Sequence, residues 1–174
     1  GQCLVFQSPK QTRYITGSGR GISCFAVSPN RRYVAVALKG KNPLIEIYEL
    51  SQDMKKRKVF QHPGVNTLEY IHMEFSQDGE YIVAQGDAPD YSLIILKTGL
   101  SELNKPSVVG GQEEVLNLEM IDHIPSSNAE KNPVQQCSIS PNNDVVCVTG
   151  NGIFSLFSFS GQNLKAFQVG LGNR

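Results

Sequence analysis

The chain has 174 residues, 40% hydrophobic and 18% charged, with zero formal net charge at neutral pH. That is ordinary globular composition, which excludes a disordered or low-complexity chain, and no apolar run approaches the roughly 18 residues a membrane-spanning helix requires. The neutral total hides two unlike halves: residues 1–62 hold eleven Lys and Arg against three acids, and residues 63–174 hold five against thirteen, a split that gives the chain a dipole able to orient partners.

The periodicity along the chain is two. "CLVFQ", "SPKQ" and "TRYIT" read as strand, turn and strand. "ISCFAVS" alternates until Pro29-Asn30; "RYVAVAL" follows; Gly40, Asn42 and Pro43 interrupt; "LIEIYEL" resumes; and "KRKVFQ" closes the unit before His62-Pro63-Gly64. The next unit runs "YIHMEFS", "EYIVAQG", "YSLIILK" and a later outer strand, and the third runs "VQQCSIS", "DVVCVTG", "IFSLFSFS" and "LKAFQV". The nearest thing to a helix, Ser101 to Lys105, is short and cut off by Pro106. Asn151-Gly152 predicts a two-residue type I′ hairpin, with positive φ at both positions.

The turn before each second strand repeats: "SPNRRY" from Ser28, "SQDGEY" from Ser76 and "SPNNDV" from Ser140. The first two serines are 48 residues apart and the next two 64. The first spacing is close to the roughly 40–45 residues of a WD-repeat blade, and the longer second one implies an insertion from about Thr98 to Asn132, with "EVLNLEMI" inside it as the outer strand. The expected fold is therefore all-β, a partial WD-repeat β-propeller of about three four-stranded blades plus two outer strands of a preceding blade. Its parts are residues 1–17 (the outer strands), 18–62 (a blade), 63–121 (a blade with an inserted loop from about 98) and 122–174 (a blade). A closed propeller has four to eight blades, so the chain is expected to be one portion of a longer propeller.

Loops joining first to second and third to fourth strands lie on one face of a propeller. Arg31 and Arg32 belong to the former and Lys55, Lys56, Arg57 and Lys58 to the latter, with Lys10 and Arg13 in the equivalent hairpin before. These eight residues predict one basic patch suited to an acidic protein surface, with Lys39 and Lys41 on the opposite face; a merely solvated charged rim is the plainer alternative. The aromatics Tyr48 and Phe60 form no interleaved stacking platform and the chain is neutral overall, so nucleic acid is not expected as a partner; without a long apolar run, neither is a membrane.

Chemistry is sparse. His62, His72 and His123 have no ligand-spaced companions, and no HExxH, CxxC or GxSxG occurs. Gly17-Ser18-Gly19-Arg20-Gly21 lacks the Lys-Ser/Thr and following helix of a phosphate loop. Glu113-Glu114 reads as a solvated pair. Cys3, Cys24, Cys137 and Cys147 sit in apolar or alternating runs and read as core residues of a protein in a reducing compartment. No catalytic, metal-binding or cofactor-binding residue is expected. An enzyme would need polar residues converging from the first strands of several blades, where only His72, Glu74 and glutamines are on offer.

"FAVSPNRRYVAVALKGKNPLIEIYEL", "FSQDGEYIVAQGDAPDYSLIIL" and "NPVQQCSISPNNDVVCVTGNGIFSLFSF" resemble successive blades in the N-terminal propeller of the cilia- and flagella-associated WD-repeat protein family. Where that family tends to carry Trp before the third strand of the second blade, this chain has Tyr91. The resemblance implies a non-enzymatic scaffold of the motile cilium or flagellum, located in the cytoplasm, cytoskeleton and axoneme. Its implied partners are inner dynein arm and regulatory-complex components and tubulin, besides the remaining blades of the same propeller. A general intracellular WD-repeat adaptor without a ciliary role is the first alternative, and a propeller enzyme the second.

Overall fold

The computed structural model describes residues 2–8, 11–16, 21–51, 53–101, 115–125 and 134–167, with residues 2–8, 11, 12 and 16 described by their backbone only. All regular structure among them is β. A two-stranded sheet, β1 (Gln2–Ser8) and β2 (Gln11–Thr16), precedes three larger ones. The first of these is built from β3 (Ile22–Val27), β4 (Tyr33–Leu38), β5 (Leu44–Glu49) and β6 (Lys56–Phe60). The second has β7 (Tyr70–Phe75), β8 (Tyr81–Gly86), β9 (Leu93–Lys97) and β11 (Glu119–Ile124). The third has β12 (Val134–Ile139), β13 (Val145–Gly150), β14 (Ile153–Phe159) and β15 (Leu164–Phe167). Within each, consecutive strands pair antiparallel as a meander, which is what tight turns between period-two runs dictate.

The sheets stack face to face, and alternation in the second strands decides which side chain serves which interface. Val34, Val36 and Leu38 of β4 pack with Ile15 of β2. Tyr33, Ala35 and Ala37 point the other way, into a cluster shared with Ile82 and Ala84 of β8. Val83 of β8 then meets Val146 and Val148 of β13. Burying a Val, Ile or Leu side chain contributes about 1.5–3 kcal/mol, and these clusters are the cores that the sheets share.

Three details depart from the sequence reading. The first strand of each of the three larger sheets carries a bulge at the same place, between Ile22 and Cys24, Tyr70 and His72, and Val134 and Gln136. A bulge increases local twist, and no residue type in the three runs announces it. The "EVLNLEMI" segment is not one strand. Leu116–Asn117 forms β10, which pairs parallel to β6 as a fifth strand of the first sheet, and only Glu119–Ile124 is the outer strand of the second. That strand also runs three residues past the expected boundary at 121. Between the two pieces Leu118 is buried in the cluster between the first and second sheets, its N–H donating to the Val59 carbonyl at 2.8 Å. Finally, only Gly152 of Asn151-Gly152 takes a positive φ, 72°, so the hairpin is not the type I′ turn expected.

Lys10, the Gly17–Arg20 loop, the Glu102–Lys105 part of the helix candidate and Glu113-Glu114 lie outside the described residues, as does the side chain of Cys3.

Candidate interaction surface

The repeated serine turns are built alike. Ser28 Oγ donates to Asn30 Oδ1 at 2.7 Å and accepts the Tyr33 N–H at 3.0 Å. Ser76 Oγ does the same with Asp78 Oδ1 at 2.6 Å and the Tyr81 N–H at 2.9 Å, and Ser140 Oγ with Asp144 Oδ1 at 2.8 Å and the Val145 N–H at 2.9 Å. A serine that caps the turn both ways explains why the motif opens on that residue. The fourth residue of each turn is left-handed: Arg31 at φ 57°, Gly79 at 77° and Asn143 at 59°. Gly and Asn tolerate that region; for Arg it costs on the order of 1 kcal/mol.

Adjacent turns touch. Asn143 Nδ2 donates to Asp78 Oδ2 at 2.6 Å, joining the second and third sheets at this end. Partial burial works against the charge on Asp78, but the hydrogen bonds from Ser76, the Glu80 N–H and Asn143 outweigh it and hold the carboxyl below its ordinary value. In the first sheet the serine turn meets the β5–β6 loop, where the Leu50 N–H donates to the Arg32 carbonyl at 2.7 Å. Arg13 of β2 donates to the Ser51 carbonyl of the same loop.

This end therefore gathers most of the expected basic residues, but it does not leave them equally available. Arg31 and Lys55 are exposed. Arg32 lies over the Tyr33 ring at 5.8 Å and pairs with Glu49 at 3.6 Å, and Arg57 reaches the other oxygen of the same carboxylate at 3.6 Å. Lys56 binds Glu46 at 2.8 Å. Glu46 is itself 1% exposed and also accepts the Tyr48 hydroxyl at 2.7 Å. Lys58 is buried on the face toward the second sheet. What linear reading missed is Glu46 and Glu49, which face the bases across the β5–β6 pair. The signal was present: "LIEIYEL" holds an acid in phase with Leu44 and Tyr48, on a face that must be covered. Lys39 stands at the other end of the sheet, paired with Glu69 at 2.5 Å.

The first strands β3, β7 and β12 lie side by side. Between β7 and β12, His72, Glu74, Gln136, Cys137 and Cys147 border a hollow of about 250 Å³. The Cys137 N–H donates to His72 Nδ1 at 3.4 Å. Burial raises the Cys137 thiol, and likewise pushes Cys24 up to about 12, so both are thiols rather than nucleophilic thiolates at neutral pH. Among the described residues no three His, Cys, Asp or Glu come together as metal ligands.

The same stacking appears in solved structures. The C-terminal WD40 domain of Sif2 superposes with a TM-score of 0.60 at 15% identity, over 85% of this chain and 36% of that one. A Bacteroides fragilis protein named for 6-phosphogluconolactonase activity gives 0.67 at 12% identity, over 89% and 40%. At such identities the likeness is one of fold alone, and it defines the chain as a stretch of WD-type β-propeller. No protein-family model matches it.

In sequence the chain is similar to cilia- and flagella-associated proteins. It is 33% identical over 161 residues, 90% of its length, to mouse cilia- and flagella-associated protein 57, and 32% identical over 92 residues, 53% of its length, to mouse cilia- and flagella-associated protein 44. It spans 11% of the first relative and 5% of the second.

Proposed function

We propose that the protein is a non-enzymatic interaction scaffold of the axoneme in motile cilia and flagella, where it positions inner dynein arms and regulatory complexes on doublet microtubules. The observation that carries this reading is the 33% identity, over nine-tenths of the chain, to a cilia- and flagella-associated protein. Rigid stacked sheets with ordered turn ends suit a docking platform.

Within that role the serine-turn end of the first sheet docks an acidic partner segment, such as a tubulin tail. Arg31 makes the contact, with Arg32 and the exposed Lys55 beside it. Arg57, Lys56 and Lys58 are spent inside the fold on Glu49, on Glu46 and in the interface with the second sheet. Arg31 is the telling residue, because a long cation is kept at a left-handed position where the next sheet has glycine.

The test is retention of the tagged protein on detergent-extracted axonemes through a salt series. The protein is expected to stay on axonemes, and Arg31→Glu with Lys55→Glu to leave at lower salt. Absence from axonemes would overturn the scaffold reading; presence with an unchanged salt profile in the double variant would remove only the basic end as the docking surface.

A further inference from the structure

We infer a second binding site, at the end of the sheets opposite the serine turns, that takes a side-chain carboxylate of an acidic peptide segment. The β4–β5 turn brings Lys41 and Asn42 against the β6–β7 connection, which brings Gln61, His62 and Asn66, and Tyr70 opens β7 beside them. Together they border a pocket of about 260 Å³. Each of these six side chains can donate a hydrogen bond, and none is a carboxylate.

The donors are set up for a guest. The His62 ring stacks on Phe60, centroids 6.4 Å apart and planes 6° from parallel. Its Nδ1 accepts the Gly64 N–H at 3.0 Å, which places the proton of the neutral ring on Nε2 as a further donor. Gly64 is needed for this: a Cβ there would come within 2.9 Å of His62 Cε1. Lys41, Asn42, Gln61 and Asn66 are exposed. Among the described residues, none of these four side chains is engaged with a neighbour.

The neighbouring acids are already occupied. Glu69 is bound by Lys39 at 2.5 Å. Asp90 accepts the Asn66 N–H at 2.8 Å and the Ser92 hydroxyl at 2.7 Å, with the Ser92 N–H at 3.3 Å. Lys41 therefore has a positive charge and a set of neutral donors beside it, and no competing carboxylate on the pocket wall. A carboxylate reached by an ammonium and two or three amide donors makes the stronger, charge-assisted kind of hydrogen bond. A protein with this site and the basic serine-turn end could hold acidic segments on both faces, although neither site depends on the other.

Fluorescence polarisation of a labelled N-acetyl hexaglutamate peptide against the intact protein tests the site. Lys41→Glu is expected to weaken binding roughly tenfold, the loss of one charge-assisted hydrogen bond. Asn66→Ala should weaken it less, and Lys165→Glu on β15, away from both basic ends, should leave it unchanged. Unlabelled hexaglutamate should displace the probe and hexaglutamine should not. An unchanged affinity in Lys41→Glu overturns the inference, and so does a loss that appears only in Lys55→Glu, which would assign the peptide to the serine-turn end. Displacement by inorganic phosphate at concentrations where free glutamate has no effect would overturn the carboxylate assignment.

Discussion

The second strands of the first and third sheets, "YVAVAL" and "VVCVTG", occupy equivalent places five residues after their serines, yet they live in different surroundings. All six residues of β4 are buried, while in β13 only Val146 and Val148 are. The apolar residues are similar in kind; the difference lies in what covers them. β4 has β2 against one face and the second sheet against the other. Among the described residues β13 has the second sheet against one face only, and Val145, Cys147 and Thr149 are half-exposed while Phe154 of the neighbouring strand is 52% exposed. A period-two strand marks two faces but does not say how many of them find a neighbour. In a stacked array the interface, more than the strand, is the unit of stability.

The sharpest way to break that comparison uses equivalent positions in the second and third sheets. Val83 of β8 and Cys147 of β13 both follow their turn serine by seven residues and so hold equivalent strand positions, but Val83 is fully buried against the third sheet and Cys147 is not. Val83→Asp strands a carboxylate in the cluster between the sheets and should cost about 4 kcal/mol or more, enough to unfold the array. Cys147→Asp should cost under about 1 kcal/mol, because water reaches the site. Urea denaturation of both variants decides it; equal losses would mean that coverage by a neighbour does not separate the two positions.

Much of this organisation was legible in the sequence. The period-two runs and the serine turns read correctly, because each is a local consequence of backbone geometry. One miss is local, the Asn151-Gly152 turn, where only the glycine is left-handed; the others are non-local. Leu116–Asn117 crosses to the edge of the first sheet because an unpaired β6 edge accepts a strand from any source, and proximity in space leaves no mark on the run itself. The bases of "KKRK" look like a free cluster in one dimension, but a bulge at Arg57 in the β5–β6 pairing leaves Lys56 beside Glu46 and turns Lys58 to the other face, into the interface, while Arg57 reaches Glu49. The pocket beside Lys41 was invisible because its two loops are separated by the whole of β5 and β6.

Glu46 gives the next largest effect. Its carboxylate is buried on the β2-facing side of the first sheet and held by Lys56 and Tyr48. Burial, together with the Glu46 hydrogen bond and charge, raises the Tyr48 hydroxyl far above its ordinary value, so it stays a donor throughout the physiological range. Glu46→Ala should cost about 2 kcal/mol, less than for a wholly buried pair because the Lys56 side chain is 38% exposed. Glu46→Leu combined with Lys56→Met should recover most of the loss. Thermal melts of both would show whether this covered face depends on the charge pair or only on its volume.

Arg31 carries the comparison to the turns. Arg31→Gly relieves a left-handed arginine and should stabilise the protein by about 0.5–1 kcal/mol, somewhat offset by the extra freedom of glycine in the unfolded chain. The same change should lower the salt needed to release the protein from axonemes. A gain in melting temperature with a loss of retention would identify a position where binding is kept at the expense of stability. A loss of stability would show that the arginine is held by contacts of its own.

The smallest effect expected is the acid response of the link between the second and third turns. The Asp78 carboxyl is held below its ordinary value, so its contribution is fully present above that value and disappears as the pH falls through the lowered one. Asp78→Asn should therefore cost a little stability at pH 7 and flatten the decline in strong acid, while leaving the pH response between 5 and 8 unchanged. The corresponding residue of the first turn, Asn30, carries no charge, so Asn30→Asp should steepen the acid decline if a turn of this shape is enough to depress a carboxyl. If it does not, the depression at Asp78 belongs to the Asn143 contact, and the tie between neighbouring sheets, rather than the turn, sets the chemistry of this end.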